Sequence, residues 1–423
     1  MSSIDSVIGD CESLRVVVYE HVSSGGFAGE PLPAGILSEG FAMLRTVTSD
    51  FQAAGHSVTV LLDSRLAAFN PPLDADQIVQ VSSSKEAEEA LDTASERADA
   101  ALVIAPESNQ VLQSLVELVE TTDLKSLNCS ASGITKAANK ANLYAHMKSI
   151  GVTVPETLLF TDVDGVEKIA EDIQQKTRFP VVFKPLNGTS CAGLSLVSSP
   201  NQIAAAIDKI QESSTNDQFI VQQFIEGVAA SVSLISTGHK ALPVSLNKQD
   251  VTLGAPEADS SYNGGKAPLD SSLTEVAFAA AKQVVESFGG LRGYVGVDLV
   301  LTEDTAFVVD VNPRLTTSYV GLRSVACFNP VEAMLNAVVK DELPKKVQMS
   351  GYSCFSKVVV PKPDVFVLPE IYKVPSIVSP PFPFDETETS CALVETHGVT
   401  LQDAQFKFRE AKKHLQSICH GGT

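Results

Sequence analysis

The chain has 423 residues, 44% of them apolar, and a formal net charge of −20. That length exceeds what one core usually organises and points to roughly two to four structural units, while the negative charge disfavours DNA and RNA, which need clustered Lys and Arg. No apolar run reaches the roughly 18 to 20 residues that span a bilayer, and Met1-Ser-Ser-Ile-Asp5 lacks the basic start of a signal peptide, so no membrane association and a cytoplasmic location are expected.

Residues 1–13 read as a polar lead-in. Leu14-Arg-Val-Val-Val-Tyr19 is a buried strand closed by Glu20, and the glycine loop Ser24-Gly-Gly-Phe-Ala-Gly29 follows. A helical stretch over Pro33–Ala53 leads to a second strand, Ser57–Leu62, closed by Asp63, and Ala100–Ile104 makes a third. Strands alternating with helices predict a parallel, doubly wound unit over residues 14–130. Gly25, Gly26 and Gly29 miss the G-x-G-x-x-G spacing of a dinucleotide site, so their loop is either a tight turn or a substrate loop.

A helix is expected over Thr135–Ile150, with Lys136 and Lys140 one turn apart, and Gly151 and Pro155 end it. The strand Phe179–Pro185 carries Lys184, and the loop Leu186–Gly193 separates it from the strand Leu194–Val197. Strands on both sides distinguish this loop from a P-loop, which opens a helix. Its backbone N–H groups can cover phosphates while Lys184 reaches phosphate oxygens, although an ordinary hairpin shows the same pattern. Cys191 lies in the loop with no base paired to it by sequence and reads as a small filler. The apolar run Phe219–Ile225, followed by Glu226-Gly227, either offers edge backbone and a carboxylate to a nucleoside or forms a core strand with a turn.

Tyr294–Leu301 and Val308–Asn312 are two further strand-like runs joined by the polar turn Thr302–Thr305. Asp310, Asn312 and Arg314 share one parity and therefore one face, and Pro313 ends the strand. With a three-residue connection Asp298 falls opposite Asp310; a two-residue loop pairs it with Val309 instead. Two facing carboxylates repel unless a cation lies between them, and hard oxygen ligands without His or Cys suit Mg²⁺ or Mn²⁺. A polar hairpin face is the plain alternative.

Beyond residue 345 the texture changes. Seven prolines lie between Pro361 and Pro383 and suit extended, edge or linker segments. Thr400 and Asp403 resemble a capping box opening a helix whose stripe of Leu401, Ala404, Phe408, Ala411, Leu415 and Ile418 serves either a core or a homodimer interface. The seven cysteines, at 11, 129, 191, 327, 354, 391 and 419, are scattered and odd in number, as expected for reduced thiols.

The ordered set of Lys140, Lys184 with its glycine hairpin, Gln222 to Glu226, Asp298 and Asp310-x-Asn312-x-Arg314 resembles the ATP-grasp superfamily over residues 130–345. The resemblance implies an α/β and α+β architecture, the ATP-grasp fold. A doubly wound pre-ATP-grasp domain (14–130) would precede a lid subdomain (131–215), a large subdomain with the metal site (216–345) and a C-terminal extension (346–423). It places Lys140, Lys184 and Lys248 on ATP, with Gly188, Thr189, Ser190 and Gly193 as a lid over the phosphates. Gln222, Gln223, Phe224 and Ile225 would meet adenine and Glu226 the ribose. Asp298, Asp310 and Asn312 would hold Mg²⁺ or Mn²⁺, Asp310 standing where family members commonly have Glu. Arg314 and Lys184 would act on the transferred phosphoryl group.

Pro33–Met43, Ser245–Gln249, Tyr262–Gly265 and Val311–Gly321 are most similar to the group of these enzymes that joins glutamate to tyramine in building methanofuran-type carriers. That likeness implies ATP-dependent amide formation through an acyl phosphate, with an amino acid and an amine as small-molecule substrates. Arg314, Thr316, Thr317 and Ser318 would hold the acid, and Glu20, Glu39 and the Gly25-Gly26 loop the amine, with His21 as a base to be tested. Two other readings stand beside it: a carboxylase-type enzyme activating bicarbonate, and an ATP-binding scaffold without turnover.

Overall fold

The computed structural model describes residues 13–188, 191–214, 216–384 and 387–421. Its first sheet is wholly parallel and contains β1 (Arg15–Glu20), β2 (Ser57–Asp63), β3 (Gln77–Val81), β4 (Ala100–Ile104) and β5 (Lys125–Ser126), in the order β3-β2-β1-β4-β5. Alternate residues feed two cores: Val17, Tyr19, Leu61, Ala101 and Val103 face one, and Val16, Val18, Val60, Leu62 and Leu102 face the other. Apolar side chains on both faces are what a doubly wound sheet requires. The short strands β3 and β5 are absent from the sequence reading because neither carries an apolar run.

A second, antiparallel sheet holds β6 (Thr157–Thr161), β7 (Val181–Pro185), β8 (Ser195–Val197) and β9 (Gln218–Gln223), in the order β6-β9-β7-β8. Helices Val166–Lys176 and Ile203–Ser213 bury Ile169, Ile173, Ile203, Ile207 and Ile210 against it. β9 therefore pairs with the strands that precede it, not with those that follow.

The third sheet contains β10 (Val228–Thr237), β11 (Ala241–Thr252), β12 (Ser261–Ala267), β13 (Arg292–Leu301), β14 (Ala306–Asn312), β15 (Tyr352–Pro361), β16 (Ile377–Ser379) and β17 (Thr389–Gly398), in the order β14-β13-β10-β11-β12-β15-β17-β16. The tail is thus an integral part of the sheet: β15 pairs with β12, and the prolines fall at its end and in the connection to β17. Helix Leu401–His420 opens at Thr400, whose side chain accepts from Asp403 N, and buries Leu415, Ile418 and Cys419 against β15 and β17. The apolar stripe is core.

The first and third sheets are joined through helix Ala34–Ala53. Its Phe41 meets Phe382 edge-on at 5.1 Å, and Arg45 donates to the carbonyls of Ile377 and Val378 at 3.0 Å each. Asp50 accepts from Tyr319 Oη at 2.5 Å and from Arg323 Nε at 2.8 Å. Among the described residues no helix is long and apolar enough to cross a membrane.

Candidate active site

A cleft of about 1020 Å³ runs between the three sheets. One wall is the β13–β14 hairpin. Its tip has two residues, Glu303 and Asp304, closed by Thr302 N donating to Thr305 O at 2.9 Å. A regular ladder from that tip would set Asp298 against Val309. Instead the register shifts by one between Asp298 and Leu299, Val309 is left out, and Asp298 pairs with Asp310. Of the two connections considered from sequence, the two-residue one is found, and a β-bulge gives the carboxylates the facing that the three-residue one would have given.

Asp298 accepts from Asn312 Nδ2 at 3.0 Å and from Gln249 Nε2 of β11 at 2.9 Å. Burial and the nearby charge of Asp310 push its carboxyl up to about 6, against the lowering effect of those two hydrogen bonds. Lys140 reaches Asp310 Oδ2 at 2.5 Å. It opens its own helix, Lys140–Ser149, because Asn139 breaks the predicted long helix with extended backbone and caps the new one by accepting from Asn142 N. Lys136, on the preceding helix Ala131–Ala138, is exposed and does not join Lys140. Lys184 donates to Gln222 Oε1 at 2.7 Å, and burial lowers its ammonium to about 8, partly offset by Asp310.

Arg314 follows the hairpin into the cleft, where its Nε donates to Glu107 Oε1 at 2.9 Å. Glu107 comes from the loop after β4, is 8% exposed, and keeps its Oε2 without a hydrogen-bond partner. Glu20, at the end of β1, is buried and accepts from Ser23 N at 2.8 Å and Val22 N at 3.3 Å. Burial raises its carboxyl to about 7, with the Arg314 charge acting the other way. Gly40 makes room for it, since a Cβ there would lie 2.5 Å from Glu20 Oε2. Glu39 accepts from Thr317 Oγ1 at 2.7 Å and from Lys357 Nζ of β15 at 2.8 Å.

Most residues singled out from sequence thus line one cleft: Glu20, Glu39, Lys140, Lys184, Gly188, Gln222, Gln223, Phe224, Ile225, Asp298, Asp310, Asn312, Arg314, Thr316, Thr317 and Ser318. Thr189 and Ser190 lie outside the described residues. Several others are not brought there. Glu226 is exposed and its neighbour Gly227 lines the cleft instead; Lys248 faces away and pairs with Asp250 at 3.7 Å. Gly193 turns the hairpin at φ +70° with Pro185 and Ser213 filling the space where a Cβ would stand.

Gly25, at φ +91°, and Gly26 make a tight turn packed on Val81 and His21. His21 is outside the cleft lining, and burial lowers its imidazole to about 4, so it serves that turn. Cys191 lines the cleft, but burial pushes its thiol up to about 11, which keeps it protonated and unreactive. The residues missed from sequence are Glu107, which holds Arg314, and Gln249, Tyr262 and Lys357, which line the cleft. Gln249 was within reach, because in a strand the neighbour of an inward residue points outward, and Lys248 had been given its place.

Residues 137–318 match the family model of the ATP-grasp domain, and residues 56–134 match that of the pre ATP-grasp 3 domain. The chain is 28% identical over 335 residues to a tyramine–L-glutamate ligase of Methanocaldococcus fervens, an alignment covering 79% of this chain and 97% of the relative. The chain belongs to the ATP-grasp ligases. A D-alanine–D-alanine ligase of Carboxydothermus hydrogenoformans is also similar, 24% identical over 55% of this chain and 75% of the relative.

Among solved structures, the ATP-grasp ligase shares its fold with a biotin carboxylase of Campylobacter jejuni (TM-score 0.71, 13% identity, 96% and 95% of the two chains). It also resembles an L-amino acid ligase of Bacillus licheniformis (TM-score 0.64, 14% identity, 96% and 98%). ATP-grasp enzymes use ATP with Mg²⁺ or Mn²⁺, and the donor set here fits such an ion. Two facing carboxylates and an amide are hard oxygen ligands, and burial together with the facing Asp310 charge raises the Asp298 carboxyl, an arrangement that a cation would relieve. Among the described residues no group of three or more His, Cys, Asp or Glu is placed to hold a metal ion by itself.

Proposed function

We propose that this ATP-grasp ligase joins glutamate to tyramine or a related amine by an amide bond, as a step in building a methanofuran-type one-carbon carrier. The observation that carries the reading is the gathering in one cleft of Lys140, Lys184, Asp298, Asp310 and Asn312 with Arg314, Glu20 and Glu39. The similarity over nearly the whole length of the tyramine–L-glutamate ligases supports the substrate pair.

A carboxylate acylates poorly, so it first takes the γ-phosphoryl group of ATP through its oxygen, releasing ADP. The amine nitrogen then attacks the acyl carbon, phosphate leaves, and the amine loses a proton. Lys140 and Lys184 hold phosphate oxygens, and Asp298, Asp310 and Asn312 hold the divalent ion, whose charge offsets that of the triphosphate. Arg314, oriented by Glu107, neutralises the acid and the acyl phosphate. Glu20, with its carboxyl near 7, receives the ammonium of the amine and takes its proton.

The test is Mg²⁺-dependent ADP release with glutamate, tyramine, both, or bicarbonate, with the product weighed by mass spectrometry. Release and a condensed product with both substrates together support the reading. Stimulation by bicarbonate alone moves the enzyme to the carboxylases, and nucleotide binding without turnover in any mixture moves it to a scaffold.

A further inference from the structure

Lys357 lines the cleft and has no role so far. It comes from β15, in the tail, and its Nζ donates to Glu39 Oε1 at 2.8 Å. The other oxygen of Glu39 accepts from Thr317 Oγ1 at 2.7 Å. Lys357 and Glu39 are 18% and 15% exposed, so both charges are largely withdrawn from water. With each of its oxygens engaged by the protein, Glu39 is a clamp on Lys357 and not a vacant acceptor for an ammonium.

An ammonium has three donors, and among the described residues Glu39 takes one. The remaining two belong to a group that lines the cleft. The other cations that line the cleft already have roles in the reading above, Lys140 and Lys184 at the phosphates and Arg314 at the reacting carboxyl. Gly35 lies beside it, a Cβ there standing 3.9 Å from Lys357 Nζ in ordinary contact. Cys191 feels the charges of Asp298, Glu39, Lys357 and Lys184 together, which puts Lys357 around the same stretch of lid as the phosphoryl-transfer groups.

Glutamate brings two carboxylates, and the reaction consumes one. The second enters a cleft already holding Glu20, Glu39, Asp298 and Asp310, and an anion taken from water into such surroundings requires a cation of its own. We propose that Lys357 binds the carboxylate that acyl transfer leaves untouched, held in position by Glu39. Lys357 touches no reacting atom; it selects dicarboxylic acids over monocarboxylic ones. The inference rests on the acid substrate proposed above.

The experiment measures ADP release at saturating ATP and tyramine with glutamate, and with 4-aminobutyrate and 2-aminobutyrate, which each lack one carboxylate. The proteins are the wild type, Lys357→Met, Lys357→Arg and the charge-reversed double variant Lys357→Glu with Glu39→Lys. Lys357→Met is expected to raise the KM for glutamate about tenfold to a hundredfold, as loss of a charged hydrogen bond does. The KM for ATP stays in place, the preference for glutamate over the monocarboxylates collapses, Lys357→Arg recovers most of it, and the reversed pair recovers none.

A purely structural ion pair gives the opposite pattern and overturns the proposal: melting temperature and turnover fall alike for every acid, and the reversed pair restores both. An unchanged glutamate KM in Lys357→Met, with the wild type active on glutamate, overturns this inference alone. A wild type that releases no ADP with glutamate and tyramine overturns the parent reading and this one together.

Discussion

Asp298 faces Asp310 because Val309, the residue just before Asp310, is left out of the ladder between β13 and β14. The two carboxylates owe their meeting to a bulge, and the bulge is a single residue that can be removed. Deleting Val309 makes the hairpin regular from its Glu303-Asp304 tip and places Asp310 directly after Val308, still opposite Asp298. Mg²⁺-dependent ADP formation is therefore expected to persist, and its loss would show that the bulge itself, and not only the facing of the two carboxylates, places the ion. The circular dichroism spectrum should stay that of the wild type.

Gln249 holds one oxygen of Asp298 while Asn312 holds the other. Replacing Gln249 with Ala leaves the carboxylate in place but free to rotate, and outer partners of this kind are worth about 10-fold to 100-fold in metal affinity. The Mn²⁺ concentration giving half-maximal ADP formation should rise by that factor. An unchanged Mn²⁺ dependence would remove Gln249 from the site.

Glu107 and Arg314 tie the loop after β4 to the end of the metal hairpin. Glu107→Ala strands a guanidinium in the cleft wall. Because Arg314 retains some access to solvent, the destabilisation should be roughly 1–3 kcal/mol, below that of a fully buried pair broken on one side. Turnover should fall more than the KM for ATP rises if Arg314 has its proposed place on the acid and not on the nucleotide.

Glu20 and His21 are neighbours whose protonation pulls stability in opposite directions. Burial raises Glu20 to about 7, so the folded protein holds its proton through a range in which the unfolded chain has released it. That contribution is present below about 4.5 and is lost as pH rises through 7. Burial lowers His21 to about 4, so its contribution is present above about 6.5 and is lost as pH falls through 4. Between those limits the two slopes oppose each other. Glu20→Gln should therefore make thermal stability climb more steeply with pH from 4.5 to 6.5, and His21→Asn should make it decline over the same interval.

Gly40 is the residue whose smallness admits the Glu20 carboxylate. Gly40→Ala favours its helix by up to about 1 kcal/mol, so the melting temperature should change little. Catalysis should suffer, because the added methyl must displace the carboxylate that sits 2.5 Å away. Unaltered turnover would show that Glu20 has no part in the chemistry.

Where one side chain decides an element, the sequence was enough to read it. Val16 to Tyr19, Val58 to Leu62 and Ala100 to Ile104 are apolar on both faces, and the doubly wound sheet follows from them. Asp310, Asn312 and Arg314 lie in the cleft as their parity required. What escaped depends on partners distant along the chain. Glu107 is one acidic residue among many until Arg314 lies beside it, and Asn139 breaks a helix that periodicity alone would continue. Lys248 and Gln249 differ only in which face β11 presents, and a bulge after Gln249 disturbs even that regularity. The tail looked like a linker because prolines dominate its composition, yet the strands on either side of them are long and paired along their whole length.

The place of β15 in the sheet also fixes an order in time. The cleft draws Glu20 from the first strand and Lys357 from the fifteenth, and β15 is flanked by β17, which ends at Gly398. A nascent chain on the ribosome can fold its parallel sheet early, since every strand of that sheet lies before residue 127. The part of the cleft wall that carries Lys357 cannot form until β15 and its neighbour β17 have been made, long after the strand that ends at Glu20. Completion of the cleft therefore waits on the tail.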